Sequence, residues 1–317
     1  MTYLSRPVPE EERANIVPGE PLIAFQDVRI GFDQGDVLAG VSFEVWPGET
    51  KVLLGESGSG KTLILKMAAG LLRPDAGRIL VMGHDLNEMP EKELLDFRRH
   101  LGFVFQEGAL FDSLTVSENV AFRLREEHVA EDEVETRVRE ALRFVELEAT
   151  VDQYPAELSG GMRRRVSIAR ALVDRPSLVF YDSPTAGLDP VTSQTIITLV
   201  LRGRDLQGVT SLLATHRVQD AFGLASFRLD PTSGKLVRVS FDGYHAAAGS
   251  KAVAAQPVAA PKAPADSKLP GAAKAPDTGA PTTVLVLREG RVYFEGTAAE
   301  MLHTSDDYLN KFLDSAK

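Results

Sequence analysis

The chain has 317 residues, 44% hydrophobic content and a formal net charge of -10. That is enough apolar material for one large domain or two modest ones, and the acidic balance argues against nucleic acid as the main partner. Cysteine is absent, which excludes a disulfide framework and thiol chemistry and favours a reducing compartment.

Residues 1–20 are polar and proline-broken, with no apolar core of a signal peptide, and read as a flexible N-terminal segment. No apolar run is long enough to cross a bilayer, so any membrane role is expected to come through a partner. Residues 22–30 and 41–45 alternate as two strands around a turn at Gln34-Gly35-Asp36. Phe32 falls in this hairpin region. Its ring suits stacking on a purine and equally suits a core or edge position. Pro47-Gly48-Glu49 then turns the chain into the short apolar strand Val52-Leu53-Leu54.

Gly55-Glu56-Ser57-Gly58-Ser59-Gly60-Lys61-Thr62 follows, with a helix predicted over residues 63–72. This is G-x-x-x-x-G-K-[ST] in the strand, turn, helix context that the pattern requires. The glycines allow a backbone path that turns several amides inward, at the positive end of a helix, where phosphate oxygens sit. Lys61 is expected to reach β- and γ-phosphates, and Thr62 to hold Mg²⁺.

Further on, the pattern predicts a turn at 73–77, a strand at 78–82 and a helix at 90–99 whose acidic start suits the helix dipole. A strand at 101–105 leads to Gln106, a position from which a side chain can reach Mg²⁺ or an attacking water. Residues 131–148 carry Val134, Val138, Leu142 and Val145 at three- and four-residue spacing, the pattern of an amphipathic surface helix. Leu158-Ser159-Gly160-Gly161-Met162 opens another helix, a second start with amides suited to an anion. Arg163, Arg164 and Arg165 behind it read as a solvated helix turn or a subunit contact. Leu178-Val179-Phe180-Tyr181-Asp182 is an apolar strand ending in a carboxylate, the Walker B pattern, and Asp182 is expected to hold Mg²⁺ through water. A loop at 184–189, a helix at 191–201 and a strand at 210–214 lead to His216, which either contacts the γ-phosphate or caps the strand.

Residues 242–281 are rich in Ala, Pro and Lys, with six prolines between 257 and 281, and read as a disordered insertion. A hairpin at 282–287 and 291–294 around Glu289-Gly290, and a closing helix at 306–313, complete the chain. Since residues 236–241 also look strand-like, the insertion is expected in a peripheral sheet that leaves the core alone. The main domain then spans 21–241 and is completed by 282–317.

In this order the motifs resemble those of the ATP-binding cassette (ABC) ATPases. The resemblance implies an α/β P-loop NTPase fold, with an antiparallel β subdomain and an α-helical signature subdomain over about residues 112–156. It implies ATP and Mg²⁺ as ligands. Phe32 falls near the A-loop aromatic position, and Gly55, Ser57, Gly58, Ser59, Gly60, Lys61, Thr62 and Leu63 around the phosphates. Thr62, Gln106 and Asp182 surround the metal. Ser159, Gly160 and Gly161 belong to the signature, Ala186-Gly187-Leu188-Asp189 to the D-loop, and His216 is the switch histidine. Members of the family act as head-to-tail dimers in which the P-loop of one subunit and the signature of the other enclose each ATP.

Phe105-Gln106-Glu107-Gly108-Ala109-Leu110-Phe111-Asp112-Ser113-Leu114-Thr115-Val116, continuing to Asn119-Val120-Ala121-Phe122, resembles the ATPases of Mla/Mce-type phospholipid transport systems. That implies a place on the cytoplasmic face of a bacterial inner membrane, under two permease subunits. A periplasmic MCE-domain protein stands beyond them, and residues 107–114 are the expected permease contact. A cassette for another cargo, a regulatory cassette and a soluble cassette acting in translation or DNA repair are the alternatives.

Ser183 departs from the family, which places a glutamate there to polarise the attacking water. The catalytic set then reads Ser183, Gln106, Asp189 and His216. Loss of a positioned base costs on the order of 10²–10⁴-fold in rate. A homodimer is the expected assembly, with a heterodimer as the alternative, and three accounts follow: slow hydrolysis in a homodimer, with Gln106, His216 or another carboxylate placing the water; pairing with a competent cassette in a heterodimer; or a replacement that traps the ATP-bound dimer. Arg217 stands where an acidic residue usually follows the histidine, and reads as a harmless surface change, with an altered D-loop neighbourhood as the alternative.

Overall fold

The computed structural model describes residues 19–33, 35–230, 233–239 and 282–314. The sequence readings for residues 1–18, for Gln34 and for 242–281 lie outside the described residues.

Strand β1 (Ile23–Phe32) pairs antiparallel with β2 (Gly35–Val45), and Phe25 and Phe43 stack across the pair with ring centroids 4.7 Å apart. The buried strand β3 (Thr50–Leu54) feeds the P-loop and helix α1 (Lys61–Ala68). The helix starts two residues earlier than the apolar pattern suggests and stops before Gly70, whose φ of 64° turns the chain away. β4 (Ala76–Val81) lies on the other edge of β1, with β5 (His84–Asp85) beyond it, giving an antiparallel sheet of order β2-β1-β4-β5.

Helix α2 (Glu91–Arg98) leads to β6 (Leu101–Val104). Helices α3 (Val116–Glu126), α4 (Glu131–Phe144) and α5 (Gly160–Leu172) then pack on one another. Thr115 and Glu118 form a reciprocal capping box at the start of α3. α4 ends four residues short of the amphipathic pattern, because Glu146 adopts a φ of 60° and sends the chain into a short 3₁₀ turn.

β7 (Leu178–Asp182), α6 (Pro190–Gln207), β8 (Thr210–Thr215) and α7 (Val218–Ser226) alternate strand with helix. β9 (Phe227–Leu229) and β10 (Leu236–Arg238) form a separate two-stranded sheet. β11 (Thr282–Arg288), β12 (Arg291–Thr297), α8 (Ala298–Leu302) and α9 (Asp307–Asp314) end the described chain.

The central sheet runs β12-β11-β3-β8-β7-β6, parallel except for β12. Apart from the edge strand β12, its strands are apolar on both faces, and the two-residue period splits them between two cores. Val52, Leu54, Val179, Tyr181, Val284 and Val286 enter the core shared with the signature helices. Leu53, Leu178, Phe180, Leu285 and Leu287 enter the core under the antiparallel sheet and α1.

This corrects one expectation. Upstream of 242–281 the chain does end in a small outlying sheet, but downstream β11 inserts beside the P-loop strand, with Val284 opposite Val52 and Val286 opposite Leu54. The stretch therefore connects a peripheral strand to a central one. Among the described residues, no helix is long and apolar enough to cross a membrane.

Candidate functional site

Parallel strands end at the same edge, and the loops that carry the chemistry gather there. The register places them side by side: Leu54 pairs with Thr215, Asp182 with Ala214, and Val104 with Tyr181. The P-loop, His216, Asp182 and Gln106 thus leave neighbouring strands at one level, with strands about 4.8 Å apart.

Gly60 is the N-cap of α1. Its φ of 93° is a left-handed turn that suits glycine, and a Cβ there would stand 2.4 Å from Leu38. No side chain caps this helix start. Lys61 is 8% exposed and donates from Nζ to Gly55 O at 2.9 Å, Glu56 O at 2.8 Å and Ser59 Oγ at 3.2 Å. Burial pushes its ammonium below the usual lysine value, with Asp182 pulling the other way.

Thr62 Oγ1 donates to Asp182 Oδ1 at 3.1 Å, and Asp182 is 7% exposed. Burial raises the Asp182 carboxyl above its ordinary value, opposed by Thr62, Lys66, Lys61 and the Ser183 hydroxyl. A hydroxyl and one carboxylate are hard oxygen donors short of an all-protein cage, which fits Mg²⁺ shared with phosphates. Among the described residues no group of three or more His, Cys, Asp or Glu could hold a metal by itself.

Ser183 has a φ of 47° and is held by its backbone, donating to Ala214 O at 2.8 Å and accepting from Ala186 N at 3.0 Å and Arg164 Nη1 at 3.3 Å. Around it the aspartates are committed elsewhere. Asp189 caps α6, accepting from Val191 N and Thr192 N at 3.0 Å each and from Thr192 Oγ1 at 2.5 Å, and these bonds lower its carboxyl value. Asp220, 2% exposed, accepts from Thr185 Oγ1 at 2.6 Å and Thr215 Oγ1 at 2.7 Å. Gln106 and His216 are exposed.

Two readings of arginines need correcting. Arg217 is no loose surface residue: Nη1 donates to Thr185 O at 3.2 Å and to Ser193 Oγ at 2.9 Å, joining the D-loop to α6. Nor do the three arginines of α5 form a solvated turn. Arg164 is 6% exposed and also donates to Phe105 O, while Arg163 reaches Leu158 O and Arg165 reaches Val145 O. Each donates to a backbone carbonyl at the end of a strand, helix or turn.

At the signature, Ser159 Oγ accepts from Met162 N at 3.2 Å, a serine cap on α5. Gly161 packs so closely on α6 that a Cβ would stand 2.4 Å from Thr192 Cγ2, so no side chain fits. Phe32 is 57% exposed and is not among the residues lining the cleft of about 480 Å³ beside the P-loop. That cleft is closed instead by the β11–β12 turn and Tyr308 of α9. Nothing in the local pattern of Arg288 or Tyr308 announces this return to the P-loop. Asp220 had a weak signal, four residues after His216 on the first turn of a helix.

Residues 38–186 match the ABC transporter family (ABC_tran). The methionine import ATP-binding protein MetN of Rhizobium johnstonii is 37% identical over 227 residues, 72% of this chain and 63% of that protein. The intermembrane phospholipid transport system ATP-binding protein MlaF of Haemophilus influenzae is 35% identical over 199 residues, 62% of this chain and 75% of that protein. This chain therefore spans less than two thirds of the methionine protein's length. In fold it is similar to the ATP-binding cassette MJ0796, solved as a dimer in a post-hydrolysis state with ADP and Pi, with a TM-score of 0.65 at 25% identity over 87% of this chain and 98% of that one. With cradle, carboxylate and signature on one scaffold, and relatives that share it along most of their length, the chain belongs to the ABC transporter family of ATP-binding cassette proteins.

Proposed function

We propose that this chain is the ATP-binding subunit of an ABC transporter, one that grips Mg-ATP firmly and hydrolyses it slowly by itself. The observation that carries the reading is the uncapped helix start at Gly60, flanked by buried Lys61 and by Thr62 paired with Asp182. P-loop amides and Lys61 bind the β- and γ-phosphates, and Lys61 exchanges its present carbonyl partners for phosphate oxygens. Thr62 and Asp182 are the residues that would hold Mg²⁺, which neutralises charge between the β- and γ-phosphates when bound. Gln106 and His216, both exposed at the same edge, orient the attacking water.

Turnover is the weak step. Ser183 offers a neutral hydroxyl where a base is needed, and Asp189 and Asp220 are engaged in capping and in the Thr185–Thr215 pair. This favours a subunit that needs a competent cassette opposite it, over a homodimer lacking the glutamate twice. In either dimer Ser159, Gly160 and Gly161 of one subunit close over the P-loop of the other. Phe32, exposed at the β1–β2 hairpin and outside the cleft lining, is an adenine-stacking candidate by the family resemblance alone.

Permease subunits are the partners this reading requires. Phe111 and Phe122, both exposed with ring centroids 4.6 Å apart, support residues 107–114 as the contact. A phospholipid cargo is supported by the likeness to MlaF and by the 105–122 motif. A relative named for methionine import matches over more of this chain, so cargo choice belongs to the permeases rather than to the cassette.

The test is calorimetric titration of Mg-ATP into the chain and into Lys61→Ala. We expect binding to the natural chain and a loss of about 10²-fold in the variant, from two or so charge-assisted bonds. Equal affinities would remove the P-loop from the reading.

A further inference from the structure

The cleft beside the P-loop has a wall that the P-loop motif does not account for. β11 pairs with β3 so that Val286 stands opposite Leu54, which brings Arg288 level with the start of the P-loop. The following turn is pinned to β2, where Ala39 N donates to Gly290 O at 2.7 Å. Arg288, Glu289 and Tyr308 line the cleft opposite Glu56 and Ser57.

Arg288 is held ready. Its guanidinium carbon lies 4.3 Å from the centroid of the Tyr308 ring and 5.2 Å from that of Tyr293. Tyr293 Oη donates to Asp306 Oδ2 at 2.7 Å, and Asp306 Oδ1 accepts from Tyr308 N at 3.0 Å and Leu309 N at 2.9 Å. One carboxylate therefore fixes both aromatic neighbours of the cation. The two rings also meet edge to face, 5.0 Å apart, and Glu289 Oε1 lies 3.5 Å from Arg288 Nε, so a planar guanidinium packed against this pair loses little freedom when a ligand arrives.

Position decides what it meets. The lining takes in P-loop residues 56–59 but not Lys61, Thr62 or Asp182. β11 lies on the side of β3 opposite β8 and β7, so the cleft opens away from the metal corner at Asp182 and is free for the part of a nucleotide beyond its phosphates. We propose that Arg288 and Tyr308 grip the nucleoside end of the bound nucleotide, the guanidinium face packing on the base and the Tyr308 hydroxyl reaching the ribose. Aromatic bases offer guanidinium a flat face of the kind that Tyr308 already provides. The proposal rests on the nucleotide-binding reading above and adds to it a specificity element from the far end of the chain.

Calorimetry on the full chain tests it with two probes, Mg-ATP and inorganic tripolyphosphate with Mg²⁺. Arg288→Ala is expected to weaken ATP about tenfold and leave tripolyphosphate within about twofold. Tyr308→Leu, which keeps an apolar side chain on α9, is expected to weaken ATP about threefold with the same indifference to tripolyphosphate. Retained tripolyphosphate binding also reports that the P-loop of each variant is folded. Unchanged ATP affinity in Arg288→Ala would overturn the proposal, as would an equal loss of both probes. If the natural chain binds ATP no better than tripolyphosphate, the nucleoside grip falls while the P-loop reading stands. If it binds neither, the nucleotide-binding reading falls as well.

Discussion

At the P-loop corner, Lys61, Thr62 and Asp182 are buried or half-buried, Lys61 bonded to P-loop oxygens and Thr62 to Asp182, and the helix start they flank is left without a side-chain cap. At the neighbouring corner, formed by the ends of β7 and β8, Ser183 offers only a hydroxyl, and the nearby aspartates are tied into the protein's own structure. The first corner is arranged for a ligand; the second is arranged for the fold. On the function proposed above, holding a nucleotide and cutting it fall to separate residues, and one can be lost without the other.

The largest expected effect addresses that separation directly. Ser183→Glu should raise steady-state ATP turnover on the order of 10²–10⁴-fold while changing Mg-ATP affinity little. Natural turnover as fast as that of the variant would mean that Gln106, His216 or an exposed carboxylate already places the water. Next is Asp220→Ala, which strands the buried hydroxyls of Thr185 and Thr215 and should cost about 2–4 kcal/mol in denaturant unfolding. A loss of turnover without a loss of stability would instead make Asp220 part of the chemistry and erase the contrast between corners. The smallest effect is that of Arg217→Ala, which frees the D-loop from α6 and should cost about 1 kcal/mol, read by the same unfolding curves. No change there would return Arg217 to the status of a surface residue.

How much of this was legible in the sequence follows the distance over which each feature is built. Gly55 to Thr62, Asp182 and the Ser159 start lie at strand and helix ends, and their signals sit within a few residues of the atoms concerned. Arg163, Arg164 and Arg165 differ from expectation because charge in sequence suggests solvent, whereas each reaches a backbone carbonyl, and for Arg164 and Arg165 that carbonyl lies 59 and 20 residues away in the chain. Arg217 and Asp220 bind Thr185 across two strand ends, which no local pattern records. The place of β11 was misjudged for a similar reason: seven apolar-rich residues at the close of a polar stretch look the same whether they border a sheet or stand in its middle. The helix ends differed where a single positive φ, at Gly70 or Glu146, stopped an otherwise continuing pattern.

β11 has a consequence for how the chain is made. The P-loop strand gains its neighbour on one side only when residues 282–288 have been synthesised, roughly 230 residues after Thr50. Until then β3 presents an open, apolar edge on the nascent chain, a template for pairing with other chains. Premature termination between His216 and β11 would leave that edge bare on a product still carrying every nucleotide motif from Gly55 to His216, and such a fragment would be prone to aggregate rather than to compete for nucleotide.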